Sequence, residues 1–308
     1  MVNSIFLFTA AVIVCFLITW PVLWVMRFFH AFQAIRKEGP ASHQAKAGTP
    51  TMGGLGFVAT IIIFGLIFTD FDLNQEFLVL LLLIMAFALI GFIDDLIKIV
   101  RHQNLGLTFG QKLGAQIVAA AIFSLVLIIG FGRVSFGQPV LSFVCSVFII
   151  VGSANATNLT DGLNGLLAGT ALIAFLFLGI LSARAQSTDA ATLCFVGAGA
   201  VAAFLYFNFP QAKLFMGDIG ALAIGAALAG IAIIIRQELL LALIGGVFVL
   251  EALSVIIQVT SFKLFKQRVF KMTPLHHHFE LLGFSEIQIV ISAWLLAALF
   301  GLVSLLVC

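Results

Sequence analysis

The chain has 308 residues, of which 62% are hydrophobic and only 9% charged, with a mean hydropathy of +1.22. A soluble domain carries about a quarter charged residues, so this composition excludes a soluble enzyme, a disordered chain and a secreted disulfide-bonded scaffold. The 15 Lys and Arg nearly balance the 13 Asp and Glu. Because charge is costly inside a bilayer, these few side chains must lie at interfaces, in loops or in a functional site.

The apolar segments predict an all-α, polytopic integral membrane protein, since a helix needs about 20 apolar residues to cross a bilayer. We interpret residues 1–308 as a single transmembrane domain. The pattern is least regular near residues 140–183, where asparagines and an aspartate interrupt the apolar runs. About ten helices are expected, near residues 5–26, 53–69, 77–93, 112–130, 140–155, 165–183, 193–209, 214–235, 239–261 and 287–307.

The basic residues predict the orientation of these helices. When the loops are assigned alternately to the two sides, one side receives 12 of the 15 basic residues and the other receives 3. The positive-inside rule places the richer side in the cytoplasm, so both termini are expected outside it. The richer side holds Arg27, Arg36, Lys37, Lys46, Lys98, Arg101, Lys112, Lys213, Lys263, Lys266, Arg268 and Lys271, and the other side holds Arg133, Arg184 and Arg236.

The first unusual cluster precedes the second predicted helix. Residues 35–54 combine basic side chains with Gly and Pro, and they end in the run Lys46-Ala-Gly-Thr-Pro-Thr-Met-Gly-Gly54. A helix N-terminus preceded by Lys and Thr is a natural seat for phosphate. An ordinary basic loop that touches anionic lipid explains the same residues equally well.

The second cluster is Asp94-Asp95, near the end of the third predicted helix. Lys98 follows Asp94 by four residues and Asp95 by three, so it is within reach of either carboxylate on a helix. Two carboxylates and an amine suit Mg²⁺ and phosphate chemistry. The alternative is a solvated helix end with an intrahelical ion pair.

The third cluster, residues 155–165, contains three Asn and an Asp at membrane depth. Because these side chains would be costly against lipid, they must line a cavity or pair with other helices. Amides both donate and accept hydrogen bonds, so they can recognise a nucleobase or a sugar. A purely structural polar patch is the alternative.

The fourth cluster surrounds Asp218, which lies near two glycines, Gly217 and Gly220, at the start of the eighth predicted helix. Backbone at a glycine can approach a ligand closely. Asp218 is therefore a candidate Mg²⁺ ligand, although a simple helix N-cap would use the same residue type.

The last cluster is the long loop 262–286, in which a basic run precedes His276-His277-His278. The basic run alone is typical of a membrane-surface segment. Three consecutive histidines cannot easily face one zinc ion, and they suit hydrogen bonding to phosphate and proton transfer near neutral pH. Glu251 is the one acid well inside an apolar helix, so it has either a functional role or an interhelical partner.

These five clusters, in this order, resemble the phospho-N-acetylmuramoyl-pentapeptide transferases of the polyprenyl-phosphate sugar-1-phosphate transferase superfamily. The matching runs are Lys46 to Gly54, Gly91-Phe-Ile-Asp-Asp-Leu-Ile-Lys98, Asn155-Ala-Thr-Asn-Leu-Thr-Asp-Gly162, Phe215-Met-Gly-Asp218 and Thr273-Pro-Leu-His-His-His-Phe-Glu280. The resemblance spans most of the chain. The Asp-Asp pair belongs to the whole superfamily, whereas the unbroken His-His-His-Phe-Glu run is similar to the muramoyl branch.

The resemblance implies transfer of phospho-MurNAc-pentapeptide from UDP-MurNAc-pentapeptide to undecaprenyl phosphate, with release of UMP and a requirement for Mg²⁺. It implies a multi-pass protein of the bacterial cytoplasmic (inner) membrane, with its active site on the cytoplasmic side. Its partners are then the two substrates and the lipid bilayer, with room for a homodimer and no role for nucleic acid.

Together, the clusters and the resemblance define a set of candidate site residues. We expect direct attack by the lipid phosphate, while a two-step path through an aspartyl-phosphate stays open. The expected catalytic residues are Asp94, Asp95, Asp218, His276 and His277, with Asp218 as the metal ligand. The expected substrate-binding residues are Lys46, Thr51, Lys98, Lys112, Asn158, Asp161, Asn164, Phe215 and His278.

Two positions depart from the family pattern. Asn164 stands where the family usually has Asp, so we expect altered affinity for the uridine moiety rather than lost activity. Ala221 replaces a usual Ser and removes a hydroxyl near the expected metal.

Two other functions compete with this interpretation. A sister transferase would move GlcNAc-1-phosphate or a related sugar, and the intact triple-His run argues against it. A transporter would show an inverted repeat and charges near the bilayer centre, whereas no repeat is visible and only Glu251 lies deep.

Overall fold

The computed structural model describes residues 3–32, 48–68, 74–103 and 105–308, which are helical apart from loops and one isolated bridge between Phe32 and Pro50. A π-helical turn, Val126–Gly130, extends the fourth helix. The helices are α1 (Ser4–Phe28), α2 (Gly54–Phe68), α3 (Gln75–Arg101), α4 (Phe109–Leu125), α5 (Pro139–Thr160), α6 (Leu166–Arg184), α7 (Thr188–Asn208), α8 (Gly217–Ile234), α9 (Glu238–Ile244), α10 (Gly246–Phe265), α11 (Leu275–Glu280) and α12 (Glu286–Val307).

Within the described residues, nine helices are long and apolar enough to cross a membrane, and α2 is a shorter apolar helix of 15 residues. The predicted all-α, multi-pass membrane protein is therefore confirmed. The ninth predicted helix differs, because it breaks at Gly245 into the short α9 and the longer α10. Glycine has a low helix propensity, and Gly246 also lets α10 approach Phe300 of α12 closely.

Helix α8 forms the centre of the bundle. Sixteen of its 18 residues are buried, and only Gly217 and Asp218 at its start are partly exposed. Its glycines permit close approach to three neighbours: Gly220 meets α2, Gly225 meets α5 and Gly230 meets α3. Without an aqueous hydrophobic effect between helices, such close packing is the main source of helix association in a bilayer.

The alternating helices bring the expected site segments to one end of the bundle. This end, here called the site end, contains the C-terminal ends of α1, α3, α5, α7 and α10 and the N-terminal ends of α2, α4, α6, α8 and α12. The opposite end is joined by other contacts: Asn74 donates to Asp189 over 2.6 Å, Arg133 pairs with Glu76, and Arg184 donates to the carbonyl of Leu305 over 2.8 Å.

Candidate active site

Three aspartates meet at the site end. Asp94 and Asp95 lie near the end of α3 and are buried, and Asp218 lies in the first turn of α8 and is partly buried. Each offers a carboxylate oxygen, and these oxygens all lie within 4.8 Å of one another. Adjacent residues on a helix point about 100° apart, so Asp94 and Asp95 reach Asp218 from different directions.

Two lysines neutralise much of this negative charge. Lys98 Nζ lies 2.6 Å from Asp94 Oδ2, 3.6 Å from Asp95 Oδ1 and 2.8 Å from Asp218 Oδ2. Lys98 thus contacts both aspartates of its own helix, as its spacing predicts. Lys112 of α4 donates to Asp218 Oδ2 over 2.6 Å and lies 3.9 Å from Asp94 Oδ2. Three carboxylates and two ammonium groups leave a formal charge of −1 when all five are ionised.

Backbone groups fix the direction of the α3 carboxylates. The amide of Leu107 donates to Asp94 Oδ1 over 2.9 Å, and the amide of Ile219 donates to Asp95 Oδ2 over 3.2 Å. Gly217 has a φ of +76° and lies against Asp95 Oδ2. Since a side chain at Gly217 would be strained by that φ and would meet this oxygen, only glycine fits there.

Helix α5 supplies an amide to the same cluster. It continues without interruption to Thr160, so Asn155 and Asn158, which make the sequence pattern irregular, lie inside a helix. Asn158 Nδ2 donates to Asp218 Oδ1 over 2.8 Å, and Asn155 Nδ2 donates to Gln116 Oε1 over 2.7 Å. These interhelical bonds satisfy the polar groups that would otherwise be costly in a bilayer.

The segment before α2 packs beside Asp218. The amide of Phe215 donates to the carbonyl of Pro50, and the amide of Gly53 donates to the carbonyl of Phe215, each over 2.8 Å. Thr51 is buried, and its hydroxyl lies beside Gly217. The structure thus brings Thr51 and Phe215 next to the acid cluster, while Lys46 lies outside the described residues.

The histidine segment forms the short helix α11. His276 is buried, with Nδ1 3.1 Å from Glu251 Oε2. His277 Nδ1 lies 2.7 Å from Glu280 Oε2, and His278 Nδ1 accepts from the amide of Lys271 over 3.1 Å. His276 and His277 are ring neighbours, with centroids 4.2 Å apart.

The turn between α5 and α6 makes a separate set of contacts. Asp161 caps the C-terminal end of α5. Asn164 donates from its amide Nδ2 to the carbonyl of Pro210 over 3.3 Å, and its backbone amide donates to Glu286 Oε1 over 2.6 Å. Asn164 therefore joins this turn to the segment after α7 and to the start of α12.

Several residues that shape the site were not predicted from the sequence. Asn208 accepts from the amide of Gly165 and donates to the carbonyl of Leu214, so it connects the α5–α6 turn to the segment before Asp218. Gln116 and Glu286 provide the partners of Asn155 and Asn164. Only Asn208 could have been found from the local sequence, because it is a polar residue two positions before a proline. The roles of Gln116 and Glu286 depend on contacts with residues distant in sequence.

The acid cluster has the donor set that Mg²⁺ prefers. Magnesium is usually held through one or two carboxylates, with waters and substrate phosphates completing its coordination. Asp94, Asp95 and Asp218 provide carboxylate oxygens close enough to share one ion. No His or Cys belongs to this cluster, so among the described residues it favours a hard cation over zinc.

An apolar groove lies between α4 and α5. It has a volume of about 360 Å³ and is open at the outer surface, where Val144 and Phe148 are exposed. Asn155 lies in the groove wall one helical turn before Asn158, which contacts Asp218. The groove lining is Ile117, Val144, Val147, Phe148, Val151, Gly152 and Asn155.

Comparisons with known proteins identify the family of the chain. The sequence model of glycosyl transferase family 4 matches residues 77–236, which include Asp94, Asp95 and Asp218. A phospho-N-acetylmuramoyl-pentapeptide-transferase of Shouchella clausii is 48% identical over 283 residues, which cover 88% of this chain and 86% of that protein. Proteins of the same name from Bacillus thuringiensis and Bacillus cereus (strain AH187) are each 49% identical over 273 residues, or 85% of this chain and 84% of theirs.

Proposed function

Since this chain belongs to glycosyl transferase family 4 and, within it, to the phospho-N-acetylmuramoyl-pentapeptide transferases, we propose that it transfers phospho-MurNAc-pentapeptide from UDP-MurNAc-pentapeptide to undecaprenyl phosphate. The products are lipid I and UMP. The observation that carries the proposal is the cluster of three carboxylates, two lysines and one asparagine at one end of a membrane-spanning bundle. Such a site suits a reaction between a water-soluble pyrophosphate and a lipid-anchored phosphate.

The acid cluster would hold Mg²⁺, with Asp218 as the central ligand and Asp94 or Asp95 as its second carboxylate. When bound, the ion supplies charge neutralisation on the phosphate oxygens, as in other phosphoryl transfers. Lys98 and Lys112 already lie at this point of the site, so each can also bind a phosphate oxygen of the donor. The protein thereby positions the reacting groups and offsets their charge.

The nucleophile needs little help from a general base. A phosphate monoester has a second pKa of about 6, so the lipid phosphate is largely dianionic at pH 7. An oxygen of the lipid phosphate attacks the donor phosphorus that is attached to the sugar. The bond between that phosphorus and the oxygen of UMP breaks, and UMP leaves with the electron pair. Asp94 or Asp95 orients the attacking phosphate, and the lysines reduce the repulsion between the two anionic substrates.

Direct attack makes a clear prediction about covalent intermediates. When the purified protein is incubated with UDP-MurNAc-pentapeptide and Mg²⁺ but no lipid, we expect no phospho-MurNAc-pentapeptide adduct on an aspartate and no stoichiometric burst of UMP. Intact-protein mass spectrometry and a UMP assay measure these two quantities. A covalent adduct on Asp94 or Asp95, formed before lipid is added and discharged by it, would overturn the direct scheme in favour of two steps.

The apolar groove is suited to the acceptor. A polyprenyl chain is purely hydrocarbon, so it can pack against an apolar wall by van der Waals contact without leaving the bilayer. The groove faces the outer surface of the bundle, and its Asn155 end is one turn from the residue that binds Asp218. A chain seated there brings its phosphate toward the acid cluster while the hydrocarbon stays in the membrane.

We further infer that the protein is in the bacterial cytoplasmic membrane with the site end in the cytoplasm. The positive-inside rule supports this orientation. Among the described residues, the site end carries Arg27, Lys98, Arg101, Lys112, Lys213, Lys263, Lys266, Arg268 and Lys271, whereas the opposite end carries Arg133, Arg184 and Arg236. A cytoplasmic site gives a soluble UDP-sugar direct access to a lipid acceptor.

The test of the function is release of UMP by the purified protein in detergent or vesicles. We expect release only when UDP-MurNAc-pentapeptide, undecaprenyl phosphate and Mg²⁺ are all present, and none when EDTA replaces Mg²⁺. UDP-GlcNAc serves as the matched donor. Release with UDP-GlcNAc instead would support the sister transferase, and release with neither donor would contradict the proposed function.

A further inference from the structure

Glu251 is a buried acid in α10 with a specific partner. It is only 5% exposed and lies within an otherwise apolar stretch of the helix. Its Oε2 accepts from the backbone amide of His276 over 3.3 Å and lies 3.1 Å from Nδ1 of the same residue. One carboxylate oxygen therefore binds the backbone amide of the first histidine in α11 and lies close to Nδ1 of its ring.

The other edge of the His276 ring is also fixed. Nε2 lies against the α-carbon of Gly162, so closely that a β-carbon at Gly162 would overlap it. His276 is 1% exposed, and neither ring nitrogen makes a hydrogen bond among the residues that the structure describes. The ring is thus held between a carboxylate on α10 and the backbone just after α5.

This arrangement connects the histidine segment to the acid cluster. Gly162 follows Asp161, which caps α5, and Asn158 in the last turn of α5 donates to Asp218. The ring of His277 packs edge-on against the ring of His276. The position of α11 relative to the reacting groups therefore depends on the contacts that His276 makes with Glu251 and Gly162.

We propose that Glu251 is a positioning residue, which holds His276 against Gly162 through the His276 backbone amide and, because the Glu251 carboxylate lies beside Nδ1, favours the ring tautomer with the proton on Nδ1. The expected effect of Glu251 on the reaction rate rests on the proposed transfer reaction, whereas its expected effect on the position of His276 does not. Glu251 acts through His276 and touches no reacting atom. Its function is to accept the hydrogen bond of the His276 amide with an oxygen that lies beside the ring, so an uncharged acceptor of the same shape can replace it.

Three substitutions distinguish positioning by a hydrogen-bond acceptor from a requirement for the negative charge of Glu251. Glu251→Met keeps the length of the side chain and removes the acceptor, Glu251→Gln keeps an acceptor oxygen and removes the charge, and Gly162→Ala pushes on the opposite edge of the ring. Glu238→Gln, at another buried acid in α9, is the control for a lost carboxylate. Gly114→Ala, where a β-carbon would meet nothing within 4 Å, is the control for the added methyl group.

The first measurement is the ring ¹⁵N spectrum of histidine-labelled protein in detergent micelles, with His276 identified by the signal lost in His276→Gln. We expect one tautomer, with the proton on Nδ1, in the native chain, in Glu251→Gln and in both controls. We expect a mixture of tautomers in Glu251→Met and a displaced signal in Gly162→Ala. An unchanged His276 signal in Glu251→Met would overturn the proposal, whatever reaction the protein catalyses.

The second measurement is steady-state UMP release. Misplacing a catalytic group by about 1 Å can cost about 100-fold in rate, and α11 carries His277, which the sequence predicts to be catalytic and which packs against His276. We therefore expect kcat to fall by about that factor in Glu251→Met and Gly162→Ala, with the KM for the UDP donor changed less than about 3-fold. Glu251→Gln should retain kcat within about 5-fold of the native value. Equal losses in Glu251→Gln and Glu251→Met would show that the charge itself is needed and would overturn positioning by hydrogen bonds.

Failure of this proposal and failure of the proposed function give different results. If no UDP-sugar supports turnover, the ¹⁵N spectra still decide whether Glu251 seats His276. If turnover is normal in the native chain but both Glu251 variants match it, the reaction stands and the positioning role fails.

Discussion

Replacing Asp218 with asparagine is expected to lower the rate of UMP release by about 1000-fold or more while the fold stays intact. Charge stabilisation by a bound metal ion contributes several kcal/mol to such reactions, and about 4 kcal/mol corresponds to three orders of magnitude in rate. Asp218 is the residue on which the cluster converges, because Lys98, Lys112 and Asn158 all donate to its carboxylate. The substituted side chain would keep a similar shape but would leave one carboxylate fewer for the metal.

The substitution also changes the charge balance of the site. With three carboxylates and two lysines the cluster has a formal charge of −1, and with two carboxylates it becomes neutral. A neutral site attracts a divalent cation less strongly. We therefore expect weaker binding of Mn²⁺, measured as the loss of the free-ion signal in electron paramagnetic resonance, in the absence of any substrate.

Asp189→Asn is the matched control for this prediction. Asp189 is a buried aspartate at the opposite end of the bundle, where it accepts a hydrogen bond from Asn74. Its substitution should leave UMP release and Mn²⁺ binding within about 3-fold of native values, because the length of the bundle separates Asp189 from the acid cluster and the interaction between charges weakens with distance. If Asp218→Asn binds Mn²⁺ as the native chain does, the metal lies elsewhere and the assignment of Asp218 is wrong.

Much of the site could be predicted from local sequence. Asp94, Asp95 and Lys98 lie on one helix, so their spacing alone predicts the ion pairs that the structure contains. The positive charges near Lys112 and the polar run around Asn158 also mark the correct end of the bundle. In an apolar chain each charged residue is conspicuous, because a charge inside the bilayer is costly and only interfaces, loops and functional sites can accommodate it.

The convergence of these residues could not be predicted, because it depends on packing between helices distant in sequence. Asp218 is 120 residues from its donor Lys98, and Asn158 is 60 residues from Asp218. Helix α5 shows the same limit. Its asparagines interrupt the apolar pattern of the sequence, yet Gln116 and Asp218 satisfy them and the helix continues to Thr160.

Asn164 shows how structure changes the meaning of a departure from the family pattern. The sequence predicts a contact with the nucleoside, and that contact stays a prediction. The structure adds a role that an aspartate could not fill in the same way, because the side-chain amide of Asn164 donates to the carbonyl of Pro210. A carboxylate at this position has no proton to donate to that carbonyl.

The close packing of α3 and α8 leads to the second large effect, which is expected for Gly91→Ala. A β-carbon at Gly91 would overlap the backbone carbonyl of Asp218 and the amide of Ile219. Backbone atoms cannot move aside as a flexible side chain can, so α3 and α8 must separate. Overpacking of this kind costs about 1–3 kcal/mol in stability, and here it also moves Asp94 and Asp95 away from Asp218.

Gly91→Ala should therefore lose metal binding and activity together. We expect a lower unfolding temperature, weaker Mn²⁺ binding and a fall in kcat of about 100-fold, because the separation displaces two of three carboxylates. Gly114→Ala is the control, since α4 has open space at that position. It should keep full activity and gain up to about 1 kcal/mol from the higher helix propensity of alanine. Native Mn²⁺ affinity in Gly91→Ala would mean that the three carboxylates need not be held by this contact, and that the approach of α3 to α8 serves only the packing of the bundle.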